Sequence, residues 1–217
     1  DSNNFLAGLG TQSNVTGVQN WYDLQAEKAV SEMDQSQSLM VNALWDLPFG
    51  RGRAFLANTN RVVNMVAGGW QLGSVVTYRA GIPLALSAPV VGLGTRPNST
   101  GKSAAVSGSR TRHEAITRWF DTNQFLLPDP FTLGNVSRTL PDVRGPSIRN
   151  LDVILAKNFR VKERTEVQFR SEFFNVLNIA NFWLPNTAYG SLMFGQINAT
   201  QSSILPRVIQ FALKVAF

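Results

Sequence analysis

Apolar and polar side chains alternate with a period of two along several stretches of the chain, the signature of extended backbone with one greasy face. In SLMVNALWDL, Leu39, Val41, Ala43, Trp45 and Leu47 fall on one side, and Ser38, Met40, Asn42, Leu44 and Asp46 on the other. In GWQLGSVVTYR, Trp70, Leu72, Ser74, Val76 and Tyr78 oppose Gln71, Gly73, Val75, Thr77 and Arg79. In LDVILAKNF, Leu151, Val153 and Leu155 oppose Asp152, Ile154 and Ala156. The clearest case is TEVQFRSEFFNV. There Val167, Phe169, Ser171 and Phe173 share one face, and Glu166, Gln168, Arg170 and Glu172 share the other. The chain closes on RVIQFALKVAF, which sets Ile209, Phe211, Leu213, Val215 and Phe217 in one row. The pattern predicts about five strands of roughly 9–12 residues.

FRVKERTE, between the third and fourth strands, reads as a tight turn, and AFLANTNRVVNMV (54–66) as a short helix. The other connectors are long. Residues 80–149 and 179–206 are rich in Gly, Pro, Ser, Asn and Arg and carry little periodicity.

Two architectures use such strands. A soluble sandwich turns the apolar face inward against a second sheet. An outer-membrane barrel turns it outward to lipid, with strands of ~9–11 residues, aromatic girdles, short turns at one end and long loops at the other. Trp70 and Tyr78 lie eight residues apart, roughly 26 Å at ~3.3 Å per residue, which a tilted strand reduces toward the ~25 Å apolar band of such barrels. The expected fold is therefore all-β, an antiparallel up-and-down transmembrane β-barrel segment, open as a fragment, with long outer loops. A secreted soluble β-sandwich that binds a ligand or glycan is the alternative. In the barrel frame, Trp45, Trp70, Tyr78 and Phe217 form the aromatic girdle. Glu166, Gln168, Arg170 and Glu172 line the lumen.

Charged residues make up 16% of the chain, below the roughly 25% of ordinary soluble domains. The net charge of +6 comes from basic residues scattered over turns, such as Arg51, Arg53, Arg160, Lys162 and Arg164. No basic run is interleaved with stacking aromatics, so a nucleic-acid partner is not expected. Cysteine is absent, which removes disulfides and thiolate metal sites. No apolar stretch reaches the ~18 residues of a transmembrane helix.

Catalytic chemistry finds no constellation. His113 is the only histidine, and no His/Cys cluster or G-x-S-x-G elbow accompanies it. In GLGTRPNSTGKS, Gly101-Lys102-Ser103 resembles the end of a phosphate loop, but Arg96 stands where the first glycine is needed. Carboxylate pairs stand at Glu166/Glu172 and Asp142/Asp152; the first alternates with Arg170 on a strand face and reads as ion pairing or a lumen wall, not as a glycosidase pair. Sequons occur at Asn14, Asn98, Asn135 and Asn198, in loops where such tripeptides arise by chance. No metal, cofactor or enzymatic activity is expected.

Five segments in order, LWDLPFGRGRAFL (44–56), GGWQLGSVVTYRAGIPL (68–84), RGPSIRNLDVILAKNFRV (144–161), VQFRSEFFNVLNIANFWLPN (167–186) and RVIQFALKVAF (207–217), resemble the C-terminal barrel of TonB-dependent transporters. The match is to the Oar-like branch, which bears a carboxypeptidase-regulatory domain. WFDTNQFLLPDPFTLGN (119–135) is similar to its long outer loop, and DLQAEKAVSEMDQSQ (23–37) to its lead-in. A basic/His pair usual in that branch is replaced by Ser36 and Gln37. The resemblance implies that 1–217 is the C-terminal part of one outer-membrane barrel domain of roughly 22 strands, its plug and N-terminal domains absent. It implies a Gram-negative outer membrane and import of a large ligand, such as a glycan, peptide or metal chelate. The implied partners are outer-membrane lipid, the barrel-assembly machinery, the TonB complex through the missing N-terminal part, and the transported ligand. It also implies that Phe211, Leu213, Val215 and Phe217 form the C-terminal assembly signal. The C-terminus is then periplasmic, 80–149 and 179–206 face outward, and 49–68 is a long periplasmic turn.

Overall fold

The computed structural model describes residues 18–90, 95–162 and 165–216 of the 217. In chain order the elements are β1 (Ser38–Asp46), α1 (Arg61–Ala67), β2 (Trp70–Arg79), β3 (Asn98–Ser99), α2 (Arg112–Thr117), a 3-10 turn (Thr122–Gln124), β4 (Phe125–Leu126), β5 (Ile148–Lys162), β6 (Thr165–Phe174) and β7 (Val208–Ala216). Five long strands form one antiparallel sheet in the order β1-β2-β5-β6-β7. Every long strand therefore neighbours its predecessor, as in an up-and-down barrel wall. The sheet does not close on itself among the described residues.

The chain divides into two compact units. The described residues of 37–79, 148–181 and 201–217 carry the five-stranded sheet. Four of its strands match the expected lengths. β5 is longer, with 15 residues, because it opens at Ile148 and continues to Lys162. FRVKERTE is thus mostly strand, with a register shift between Arg160 and Lys162. The expected helix over 54–66 is shorter and later, Arg61–Ala67. Asn60 caps it, its Oδ1 accepting from the Val63 amide at 2.8 Å. β2 then opens after Gly69, whose φ of +74° and close approach to the Asn158 carbonyl exclude a side chain.

Three asparagines at three-residue spacing tie the opposite end of the sheet. Asn175 takes the left-handed conformation that asparagine tolerates, at φ 48°. Its Nδ2 donates to the carbonyls of Ile179 (3.0 Å) and Leu205 (3.1 Å), and its Oδ1 accepts from the Ile179 amide. Asn178 Oδ1 accepts from the Arg207 amide at 3.3 Å. Asn181 makes a two-way bond with the backbone of Arg149, 2.7 and 2.9 Å. The irregular run after β6 is thereby fixed to the start of β5 and to the approach to β7.

The described residues of 1–36, 80–147 and 182–200 form the second unit. Much of the long aperiodic connectors folds around a core of Leu84, Leu86, Ala104, Phe120, Phe125, Val136, Leu140 and Val143. Phe120, Phe125, Phe194 and Tyr189 meet edge-on at 5.2–6.0 Å. These apolar residues come singly and at irregular spacing, so no period betrays them. The segment 80–147 is closed at its base: the Gly145 amide donates to Ile82 O at 2.8 Å, and Pro83 bridges Arg144. A Cβ on Gly81 would fall 1.8 Å from the Gly145 oxygen, so only glycine allows this approach.

The lead-in segment is bolted to this unit by ions. Glu27 pairs with Arg96, both almost fully buried. Glu27 Oε1 also accepts from the amides of Gln19 and Asn20, while Arg96 donates to Val136 O at 3.3 Å. Asp34 pairs with Arg144 at 2.6 Å.

Two outcomes are expected. Asn175→Ala removes the donor to the Ile179 and Leu205 carbonyls and the acceptor for the Ile179 amide, and should destabilise the sheet by about 1–3 kcal/mol, measured by urea unfolding in phospholipid vesicles. Glu27→Gln leaves the Arg96 guanidinium buried without a counter-charge. Opening of the second unit should become easier by about 3–5 kcal/mol, read from hydrogen exchange at the Arg96 amide.

Candidate functional site: a two-faced wall

The registers place the alternating residues of all five strands on common faces. Trp45, Leu72, Leu155, Ser171 and Phe211 run in one row across the sheet. Val41, Val76 and Leu151 lie in a second row, and Phe169 and Leu213 in a third. The Phe169 and Phe211 rings stack at 6.1 Å and 14°. On this face Phe211 and Leu213 are 66% and 68% exposed, and Trp45 is 56% exposed. A sandwich buries such a face under a second sheet, so the sandwich alternative fails on this exposure.

The opposite face is polar. Glu166, Gln168, Arg170 and Glu172 lie on it, as expected. Arg170 pairs with Glu172 at 2.5 Å, and Gln168 Nε2 donates to Asn158 Oδ1 at 2.8 Å. On the neighbouring strands Gln71 Nε2 donates to Asp46 Oδ1 at 2.7 Å. A hollow of about 180 Å³ lies between Leu44, Gln71, Gly73, Ile154, Ala156, Gln168 and Arg170. Gly73 helps to open it, since it carries no side chain.

Trp45 and Trp70 stand at the end of the sheet where β1 stops and β2 starts, and Tyr78 stands at the other end. Phe211, Leu213 and Val215 form one exposed row on β7. Phe217, assigned to both the girdle and the assembly signal, lies outside the described residues, as does the sequon at Asn14.

Periodicity missed one residue of this wall. Lys157 continues the apolar row Leu151, Val153, Leu155, yet it is only 4% exposed. Its Nζ donates to Val66 O at 2.9 Å and Gly68 O at 2.5 Å, and stands 4.7 Å from the Trp70 ring centroid and 4.9 Å from that of Phe159. Counting two residues beyond Leu155 would have found it. The N-x-x-N-x-x-N spacing at 175, 178 and 181 would likewise have marked the asparagine ties.

Several of the residues weighed for catalysis make structural bonds. His113 sits on α2, exposed, beside Glu114. Glu114 closes a capping box with Thr111, and the Thr111 amide and hydroxyl bonds hold its carboxyl below the usual value. Ser103 donates to Asp142. Asp152 accepts from Asn150 and from the Asn175 amide. Asn135 Oδ1 accepts from the Ser99 amide at 2.6 Å, and Asn98 Oδ1 accepts from the Asn135 amide at 3.0 Å. Among the described residues no group of acidic, His or Cys side chains could hold a metal, and no helix is long and apolar enough to cross a membrane.

A meander of long strands with one exposed apolar face and one polar face defines a transmembrane β-barrel wall. The family model for the outer membrane beta barrel domain matches residues 2–210, and the chain belongs to that family. Its place is the outer membrane of a Gram-negative bacterium. No curated protein and no solved structure matches the chain. The family is typically one of transport or structural proteins.

The two faces should respond oppositely to charge. Leu155→Lys places an ammonium against lipid and should destabilise the vesicle-embedded sheet by about 2–4 kcal/mol, whereas Gln168→Lys should change it by less than about 1 kcal/mol. Urea titration followed by tryptophan fluorescence compares the two; equal effects would contradict the assignment of faces.

Proposed function

We propose that residues 1–217 are the C-terminal part of the barrel of a TonB-dependent transporter or receptor of the Oar-like branch. The observation that carries this reading is the asymmetry of the wall. The connectors at one end span 47–69 and 163–164, shorter than those opposite. Those at the other end run from β2 to β5 and from β6 to β7, and they contribute most of the compact second unit, which has its own core. A receptor for a large solute needs folded, varied surface at its outer mouth, and loops held on a rigid wall supply it. The five segments that resemble the Oar-like branch support the same reading.

In this reading the parent imports a glycan, peptide or metal chelate with energy delivered by TonB through an N-terminal part. Glu166, Gln168, Arg170 and Glu172 line the lumen. Trp45, Trp70, Tyr78 and Phe217 form the girdle where side chains with one apolar and one polar end favour the membrane interface. Phe211, Leu213, Val215 and Phe217 present the assembly signal to the barrel-assembly machinery. The long connectors face outward and meet the ligand. No catalysis and no nucleic-acid partner is assigned.

The reading frame upstream of Asp1 tests the transporter assignment. It should encode a plug, a TonB-contacting segment and many more alternating strands. A start codon and leader immediately before Asp1 would remove the transport mechanism. Deleting Phe217 from the natural protein should lower its assembled amount in the outer membrane, measured by blotting unheated membranes. Undiminished levels would remove the assembly role.

A further inference from the structure

Residues 47–69 join β1 to β2 at the end of the wall where the connectors are short, and they are long for a barrel turn. Two side chains of the apolar face reach the end of α1. Trp70 Nε1 and Lys157 Nζ both donate to Val66 O, each at 2.9 Å, and Lys157 also binds Gly68 O. Trp70 and Lys157 face each other in the β2–β5 register, in the same alternation as Leu72 and Leu155. The helix end is therefore fixed on the apolar side of the sheet, where the wall meets lipid.

The helix has a polar side and an apolar side. Asn64 faces its own connector, its Oδ1 accepting from the Arg51 amide at 2.6 Å. Val62, Met65 and Val66 are 66%, 58% and 66% exposed. Phe49 and Phe55 add two exposed rings, 5.6 Å apart. The segment from Leu47 to Gly69 holds Arg51, Arg53 and Arg61 and no acidic residue. Exposed apolar side chains with only cationic charges match an element that lies in a membrane interface beside anionic headgroups.

We propose that the 47–69 connector is a membrane foot: α1 lies in the inner leaflet of the outer membrane with Val62, Met65 and Val66 among the acyl chains. The occupant is phospholipid, because this apolar patch is continuous with the lipid-facing side of β2 and β5. Lys157 then has a reason to stand on the greasy face. It holds the helix against the wall, and its ammonium, covered by Trp70, Phe159 and two carbonyls, is kept from lipid. The assignment to the inner leaflet rests on the reading that puts the C-terminus in the periplasm.

Residues 1–217 hold no cysteine, so single cysteines report cleanly once any cysteine elsewhere in the natural protein is replaced by serine. Val62→Cys, Met65→Cys and Val66→Cys are made in the natural protein, labelled with a nitroxide in outer-membrane vesicles and tested against oxygen and a water-soluble nickel chelate. Val76→Cys on the apolar face is the lipid control, and Ser107→Cys in the long connector is the water control. All three helix labels should show a several-fold higher oxygen-to-nickel accessibility ratio than Ser107. Nickel accessibility equal to that at Ser107, with Val76 still in lipid, would overturn the foot alone. A water-exposed Val76 would instead overturn the lipid-facing wall, and the foot with it. Dipolar broadening of the helix labels by lipids spin-labelled only in the outer leaflet would refute the inner-leaflet placement.

Discussion

The wall depends on a single constraint: inside a bilayer no backbone amide or carbonyl finds water, so each must pair within the sheet. The ladders β1–β2 and β2–β5 answer it with unbroken registers, Ser38↔Arg79 to Asp46↔Gln71 and Trp70↔Lys157 to Arg79↔Ile148. β6–β7 is equally regular from Glu166↔Ala216 to Phe174↔Val208. Among the described residues the register shifts between Arg160 and Lys162, near the end of β5. Regular pairing in turn fixes which side chains share a face, since a slip of one residue would exchange the greasy and polar rows.

Chain ends of strands are where this pairing must stop, and the protein treats the two ends differently. At one end Asn175, Asn178 and Asn181 take over from the ladder, bonding the backbone of Ile179, Leu205, Arg207 and Arg149. At the other end the carbonyls of Val66 and Gly68 are met by Lys157 and Trp70. In both cases side chains finish what strands cannot, where a helix ends or an irregular run begins.

The five long strands were legible because their information is local and repeats every two residues. Phe169 and Gln168 declare opposite faces without reference to any partner. The second unit was not legible, because Phe120, Phe125 and Phe194 meet only through the tertiary fold and follow no period. The ion pairs of the lead-in were hidden for the same reason: Glu27 and Arg96 are far apart in sequence and neither stands in a motif. Lys157 was hidden differently. It lies in a legible row but breaks its chemistry, and only the position of α1 explains it.

The closed base of the 80–147 segment bears on how the sheet can be put together. Bringing β2 and β5 into register across so long an excursion costs loop entropy that grows with the logarithm of its length. Once the Gly145–Ile82 bond and the Pro83–Arg144 bridge have formed, the excursion is pinched off. Its interior no longer counts in the closure of the strands. For chain entropy the cost of the excursion is then met once, in forming the pinch, and β2 and β5 close afterwards as neighbours across a tight hairpin.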